Sequence, residues 1–275
     1  MNKFDMIIKD YENNIEKEAN KLIEWIQSKF KETGAKGAIL GMSGGLDCSV
    51  TARLLQLAGI PTILVMMPYG ESMNLAGDSK DSMALIKKFN FEYITIDITN
   101  TVNTLINSMT INNSIENQTA HTLIGTVGEL SGRKIPLVQM GIDNIKPRVR
   151  MTTLYTLAQS LGYLVVGTGN LSERTMGYFT KWGDGASDLN AIANLTKTQV
   201  RILGRYLELP NRIIEKAPSA NLWEGQTDED EMGITYYDLD RYILTKEGTD
   251  EVIKKVTETS KKVSHKNNPI PVYPN

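Results

Sequence analysis

Gly37-Ala-Ile-Leu-Gly-Met-Ser-Gly-Gly-Leu-Asp-Cys-Ser-Val50 is the stretch that decides the fold. It opens as a short apolar run, Gly37 to Leu40, bends at glycines, and continues with helical character from Cys48 to Ala58. Adjacent glycines, Gly44 and Gly45, let a backbone approach an anion closely and turn its N–H groups inward. The helix that follows adds the positive end of its dipole, and Ser43 adds a hydroxyl for a phosphate oxygen. No Lys follows the glycines and no GK[ST] ending is present, so this is not the usual P-loop.

Working outward, the same alternation repeats. Upstream, Ile8, Tyr11, Ile15, Ala19, Leu22, Ile23 and Ile26 form a stripe that predicts a helix within Ile7 to Lys31. Downstream, the run Thr62 to Met67 precedes a helix from about Asp78 to Lys88, and Tyr93 to Ile98 precedes a helical stretch from Thr101 to Met109. Tyr155 to Leu161 belongs to a helix that feeds the run Tyr163 to Gly167. Short apolar strands alternating with amphipathic helices predict an α/β fold, a three-layer doubly wound parallel sheet with helices on both faces. Ligands of such sheets sit at the carboxyl ends of the strands. Two turns qualify by composition, Gly41 to Cys48 and Thr168 to Asp188. Glu71 to Ser79, Asn112 to Leu130 and Ala217 to Glu231 read as polar loops of the kind that form lids or subunit contacts. No internal repeat or linker-like composition break divides the chain, so residues 1–275 read as one domain.

Composition removes several classes of function. Lys plus Arg total 30 against 32 for Asp plus Glu, a formal charge of −2 that suggests neither a nucleic-acid coat nor a polybasic membrane anchor. Two His are too few for a His-cluster metal site. A single cysteine, Cys48, excludes an internal disulfide and a structural zinc site built on several thiolates. The longest apolar runs fall short of a bilayer span, and the charged start MNKFDMIIKDYENN lacks a secretory apolar region. A soluble cytoplasmic protein is the expectation.

Asp47 has two readings. A carboxylate in a first helical turn is ordinary for capping and for the helix dipole. Beside a phosphate cradle, however, it repels the ligand unless a divalent cation bridges them, and Mg²⁺ commonly does so with one or two carboxylates plus phosphates. Strand, Ser-Gly-Gly, Asp and helix together favour a Mg-nucleotide. A thiol at a helix start invites a covalent mechanism, but His121 and His265, the candidate bases for Cys48, are distant in sequence. It therefore reads as a small residue packed at the head of the helix.

The segment Ser43-Gly-Gly-Leu-Asp-Cys-Ser49 resembles the SGGxDS signature of the ATP pyrophosphatases. Asn144-Ile-Lys-Pro-Arg-Val-Arg-Met151, Gly167-Thr-Gly-Asn-Leu-Ser-Glu173, Tyr178-Phe-Thr-Lys-Trp-Gly-Asp-Gly185 and Lys216-Ala-Pro-Ser-Ala220 then occur in order. Asp228-Glu-Asp-Glu-Met-Gly-Ile-Thr-Tyr236 and Ser264-His-Lys266 follow. From about residue 15 to 270, that series resembles the NAD synthetases. The resemblance implies an adenine nucleotide alpha hydrolase-like fold and an ammonia-dependent amidation of deamido-NAD. The substrate carboxylate takes AMP from ATP, pyrophosphate leaves, and ammonia attacks the acyl carbon to give NAD. It also implies roles. Gly41, Met42, Ser43, Gly44, Gly45, Leu46, Asp47 and Cys48 match the family's ATP loop, and Thr168, Lys197 and Ser219 match further ATP contacts. Asp47 and Glu173 match magnesium ligands. Arg148, Lys181, Asp188, His265 and Lys266 match residues that bind deamido-NAD. Four of these are basic, which suits a ligand carrying phosphates and a carboxylate.

Each residue also has a structural reading: Arg148, Lys181 and Lys197 as solvated charges, Asp188 as a loop cap. Found together in family order, they favour the site. Asp184, in its Gly-Asp-Gly turn, is a candidate to take a proton from ammonium, although Asp-Gly is also a plain turn signal. Departures from the family are Cys48 for Ser, Ser219 for Thr, Pro147 for Ala and Asn267 for a basic residue; none removes a charge the scheme needs. Free ammonia is the expected donor, since the chain has no room for a glutamine amidase domain. The family implies a homodimer. The rivals are another adenylating ATP pyrophosphatase and a non-catalytic adenine-nucleotide-binding module. Thiolation enzymes usually carry more cysteines, and RNA modifiers usually carry basic appended domains.

Overall fold

A computed structural model describes residues 1–70, 77–109, 123–130, 133–218 and 227–274. The apolar stripe predicted as one helix folds as two, α1 (Lys3–Asn13) and α2 (Ile15–Thr33). Asn14 makes the break: its side-chain amide turns back to the Asp10 carbonyl at 2.9 Å, a local bond that competes with helix continuation. β1 (Ala38–Gly41), the glycine turn and α3 (Leu46–Leu57) follow as the sequence predicts. β2 (Thr62–Met66), α4 (Gly77–Phe89), β3 (Glu92–Thr95) and α5 (Thr99–Met109) continue the alternation.

A hairpin then interrupts it. β4 (Leu123–Leu130) pairs antiparallel with β5 (Arg133–Val138), which corrects the reading of this part of Asn112 to Leu130 as loop. Glycines hid the strand: the register shifts fall between Leu123 and Gly125 and between Thr126 and Gly128. Such irregularities break the period-two pattern that marks a strand. The chain returns through α6 (Gln139–Asp143) and α7 (Ile145–Leu161) to β6 (Leu164–Val165). α8 (Leu171–Met176), α9 (Lys197–Tyr206), α10 (Asn211–Ile214), α11 (Asp228–Met232), α12 (Tyr236–Thr245) and α13 (Asp250–Asn267) complete the described elements.

The main sheet has the order β3-β2-β1-β6, and every pair in it is parallel. β1 is central and buried on both faces, which is why its sequence is continuously apolar. Ala38 and Leu40 join Ile26, Phe30, Leu55, Leu85 and Leu203, so α2, α3, α4 and α9 cover one face. Ile39 joins Val65, Val102, Ile145, Ala158 and Val165, so α5 and α7 cover the other. A third cluster, Met176, Met232, Ile234, Tyr236, Leu239 and Val256, ties α8, α11, α12 and α13 together. The sheet grows from β1 through β2 to β3 and then resumes on the far side of β1 with β6. That reversal opens a crevice beyond the carboxyl ends of β1 and β6. Among the described residues, no helix is long and apolar enough to cross a membrane.

Candidate active site

The glycine turn leaves β1 into the crevice. The Met42 N–H bonds the Val65 carbonyl at 2.9 Å and anchors the turn to β2. Gly44 takes φ 82°, a left-handed conformation that side chains resist. Gly45 then occupies the N-cap of α3, and no side chain caps that helix. The amides of the first turn are left for an anion, with the dipole behind them. Cys48 is buried, its thiol donating to the Gly45 carbonyl at 3.2 Å and lying 3.6 Å from the Met42 sulfur. It packs the head of the helix, as its position in sequence suggests.

Asp47 in the first turn of α3 and Glu173 in the first turn of α8 point toward one centre. Lys197, the first residue of α9, stands there: its ammonium pairs with Asp47 and lies 3.5 Å from Glu173 Oε1. Asn170 joins the two acids. Its Nδ2 donates to Asp47 Oδ1 at 3.1 Å, its Oδ1 accepts the Glu173 N–H at 2.9 Å, and its own N–H donates to Glu173 Oε2 at 3.1 Å. This is a capping box that also reaches a second helix. Burial, followed by the Asp47 charge, raises the Glu173 pKa, against the pull of Lys197. Burial alone would lower Lys197, but Asp47 and then Glu173 outweigh it and hold the lysine charged. Asp228 lies near the same lysine and accepts the Tyr236 hydroxyl at 3.0 Å; burial raises its pKa.

A cavity of about 540 Å³ opens over this group. Its walls hold Gly41 to Ser43, Gly45 to Cys48, Thr168, Glu173 and Lys197, together with Arg150, Asp184 and Lys266. Its size falls within the roughly 300–1,000 Å³ typical of small-molecule sites. Asp184 accepts the Thr180 N–H at 2.8 Å, and burial raises its pKa against that bond and the nearby Lys266 charge. Arg150 donates to the Met67 carbonyl at 3.2 Å; burial lowers its pKa while Asp184 opposes the shift.

The remaining expected residues divide. Gly44 shapes the turn without lining the wall, and Ser219 lies outside the described residues. Arg148, Lys181, His265 and Lys266 gather where α7, the Tyr178 to Gly185 turn and α13 meet. Arg148 donates to the Lys181 carbonyl at 3.4 Å, and the Lys181 ammonium donates to the His265 carbonyl at 2.6 Å. Lys266 donates to the carbonyls of Gly177 at 2.7 Å and Phe179 at 2.8 Å. Of the five, Lys266 lines the cavity wall, whereas Arg148, Lys181, His265 and Asp188 do not. The Asp188 carboxylate accepts the Val165 N–H at 2.8 Å and the Tyr155 hydroxyl at 3.3 Å, on the side of the very short β6 away from β1. Sequence reading passed over Asn170, Arg150, Asp228 and Tyr236. The Asn-x-x-Glu spacing of Asn170 and Glu173 was a legible capping signal, whereas the other three depend on distant neighbours.

A glycine bend at the switch point of a parallel sheet, with acids gathered on one cationic centre, defines the class. The chain has the PP-loop, adenine nucleotide alpha hydrolase fold seen in the NAD synthetase structures it matches. The NAD synthase family model matches residues 18–269, and the chain belongs to that family. It is 43% identical over 254 residues to the NH3-dependent NAD+ synthetase of Carboxydothermus hydrogenoformans, 92% of this chain and 95% of that protein. The structure of NMN synthetase from Francisella tularensis matches with a TM-score of 0.81 at 33% identity, covering 94% of this chain and 98% of that one. NH3-dependent NAD synthetase from Campylobacter jejuni subsp. jejuni matches with a TM-score of 0.70 at 26% identity, again covering 94% and 98%. Family membership makes the protein an ATP-using ligase that forms a C–N bond.

Proposed function

We propose that the whole chain, acting as one cytoplasmic synthetase domain, converts deamido-NAD to NAD with ATP and free ammonia. The observation that carries the site assignment is the meeting of Asp47 and Glu173 on one cationic centre beside the uncapped start of α3. The nicotinate carboxylate attacks the α-phosphorus, the bond to the β-phosphate breaks, and pyrophosphate leaves. Ammonia then attacks the acyl carbon of the adenylate, loses a proton, and expels AMP. No protein nucleophile is needed, so the protein's work is to orient anions and offset their charge. The turn from Gly41 to Cys48, with Thr168 and Lys197, grips the ATP; Ser219 extends that set.

The donor set fits Mg²⁺. Two carboxylates that already share one ammonium present hard oxygens to a common point, and phosphate oxygens would complete the shell. Asp47 and Glu173 would hold the ion, which supplies charge neutralisation to the triphosphate. Asp184 is the group to receive the ammonium proton: burial raises its affinity for a proton, while Lys266 keeps the ionised form accessible. Arg148, Lys181 and Lys266 offer positive charge, and His265 a ring donor, to the phosphates of the dinucleotide. Asp188 serves that set by holding β6 in place. A homodimer suits the exposed apolar side chains Leu105 and Met140, on the helices that flank the hairpin in sequence.

The higher structural likeness to NMN synthetase favours a second reading, in which the acceptor is the mononucleotide form of the same pyridine acid. One experiment decides. Purified protein with ATP, Mg²⁺ and ammonium is given either deamido-NAD or nicotinate mononucleotide, with glutamine as the control donor. NAD and AMP from the dinucleotide support the proposal; amide formed from the mononucleotide alone moves it to the second reading. ADP in place of AMP overturns the cleavage site.

A further inference from the structure

Two buried polar residues outside the reacting groups connect the helices that carry Glu173 and Lys197. Ser172 and Asp240 are both 0% exposed. Ser172 precedes Glu173 in the first turn of α8. Its hydroxyl donates to one Asp240 oxygen and accepts the backbone N–H of Lys197 at 3.0 Å. The second Asp240 oxygen accepts the Thr198 N–H at 2.7 Å. Asp240 itself comes from α12, whose neighbouring residue Leu239 packs with Val256 of α13.

The first N–H groups of a helix have no partner within it, and water or a cap can satisfy them equally well. In α9 the Thr196 side chain caps the Gln199 N–H, which leaves the donors of Lys197 and Thr198. Ser172 and Asp240 take both. A single carboxylate thereby grips the start of α9 directly and the start of α8 through one hydroxyl. Simple capping does not require this link between two helices. Its geometric consequence is a fixed spacing between the backbones of Glu173 and Lys197, whose side chains meet at Asp47.

We propose that Asp240 and Ser172 are positioning residues for the nucleotide–cation site, locking α8 and α9 so that Glu173 and Lys197 converge on Asp47. The inference rests on reading Asp47 and Glu173 as the place of Mg²⁺ and ATP. Neither residue touches the cavity, so neither is a catalytic residue. Groups that orient metal ligands commonly matter nearly as much as the ligands themselves.

The test is direct binding of α,β-methylene ATP in the presence of Mg²⁺, by isothermal titration calorimetry on the full chain. Ser172→Ala deletes the hydroxyl with little change in volume and severs both of its bonds. Asp240→Asn retains an acceptor for Thr198 but presents an NH2 group to Ser172. Val256→Ala, in the same cluster but outside the relay, controls for loss of packing. Loss of an orienting group typically costs roughly 10- to 100-fold in metal affinity, so S172A and D240N should weaken binding by about that factor. V256A should lower the unfolding midpoint while its affinity stays at the wild-type level. If S172A binds the Mg-nucleotide as tightly as wild type while its midpoint falls like that of V256A, the relay is only structural and the proposal fails. Should D240N not fold, S172A decides alone. Binding settles the relay whether or not the protein turns over; turnover of the pyridine acid separately settles the synthetase reading.

Discussion

Replacing Lys197 by Met removes the cation that Asp47 and Glu173 share. The three side chains are 5%, 15% and 16% exposed, so water does little to compensate. At the 3.5 Å separation of Lys197 and Glu173, Coulomb attraction at an effective dielectric constant of about 20 comes to about 5 kcal/mol. Burial of the charges offsets much of that gross attraction. Removing one partner of a buried pair nevertheless costs about 3–5 kcal/mol, because the other charge is stranded. Here Glu173 has an escape: burial and Asp47 already raise its pKa, so in the variant it takes up a proton. The expected loss is therefore near the lower end, about 3 kcal/mol. For a chain of this size each kcal/mol moves Tm by about 2–4 °C, giving a fall of about 6–12 °C. The assay is urea unfolding of wild type, Lys197→Met, Asp47→Asn and the double variant. The double variant should lose less than the sum of the singles, with a coupling of about 2 kcal/mol. A K197M protein within about 0.5 kcal/mol of wild type, with additive singles, would show that no shared charge exists and refute the site's electrostatics.

Asp184→Asn tests the proton acceptor in two ways. Burial raises the folded-state pKa of Asp184 above the ordinary 3.8, so its stabilising contribution is complete below that value and is lost as pH rises through the folded value. Denaturation of both proteins across that window should show wild type losing stability relative to D184N as pH increases; a flat or opposite difference refutes the burial argument. D184N should also lose turnover at neutral pH, and full turnover would remove Asp184 from the proposed mechanism. Gly177 has φ 62°, and a Cβ there would stand 2.5 Å from Val263 of α13. Gly177→Ala should cost roughly 2 kcal/mol from backbone strain alone and lift the C-terminal helix off the turn, read by thermal unfolding and proteolysis of α13. Cys48→Ser should keep its turnover, since the thiol donates to the Gly45 carbonyl and a hydroxyl can do the same; complete loss would reveal a covalent thiol step.

The strand–turn–helix unit from Ala38 to Leu57 was legible because every force that shapes it is local. A buried strand needs apolar residues, an anion bend needs glycines, and a helix start needs no cap when a ligand supplies one. The late motifs, read as a family resemblance, carried the assignment of family and activity. Asn14 and the β4–β5 hairpin were missed for local reasons too: a single side-chain bond and irregular glycines leave hydrophobic periodicity almost silent. Asp188 shows a different limit: its bond to the Val165 N–H depends on a residue 23 positions away and is not legible in the sequence around it. The site belongs still more to tertiary structure. Lys197 and Asp47 are 150 residues apart, Asn170 and Asp47 are 123, and Asp240 and Thr198 are 42. The sequence by itself determined which residue types were present and how the parallel sheet would be wound. Folding alone decided which charges share a centre and how strongly burial perturbs them, because distance and desolvation are properties of neighbours that chain order does not contain.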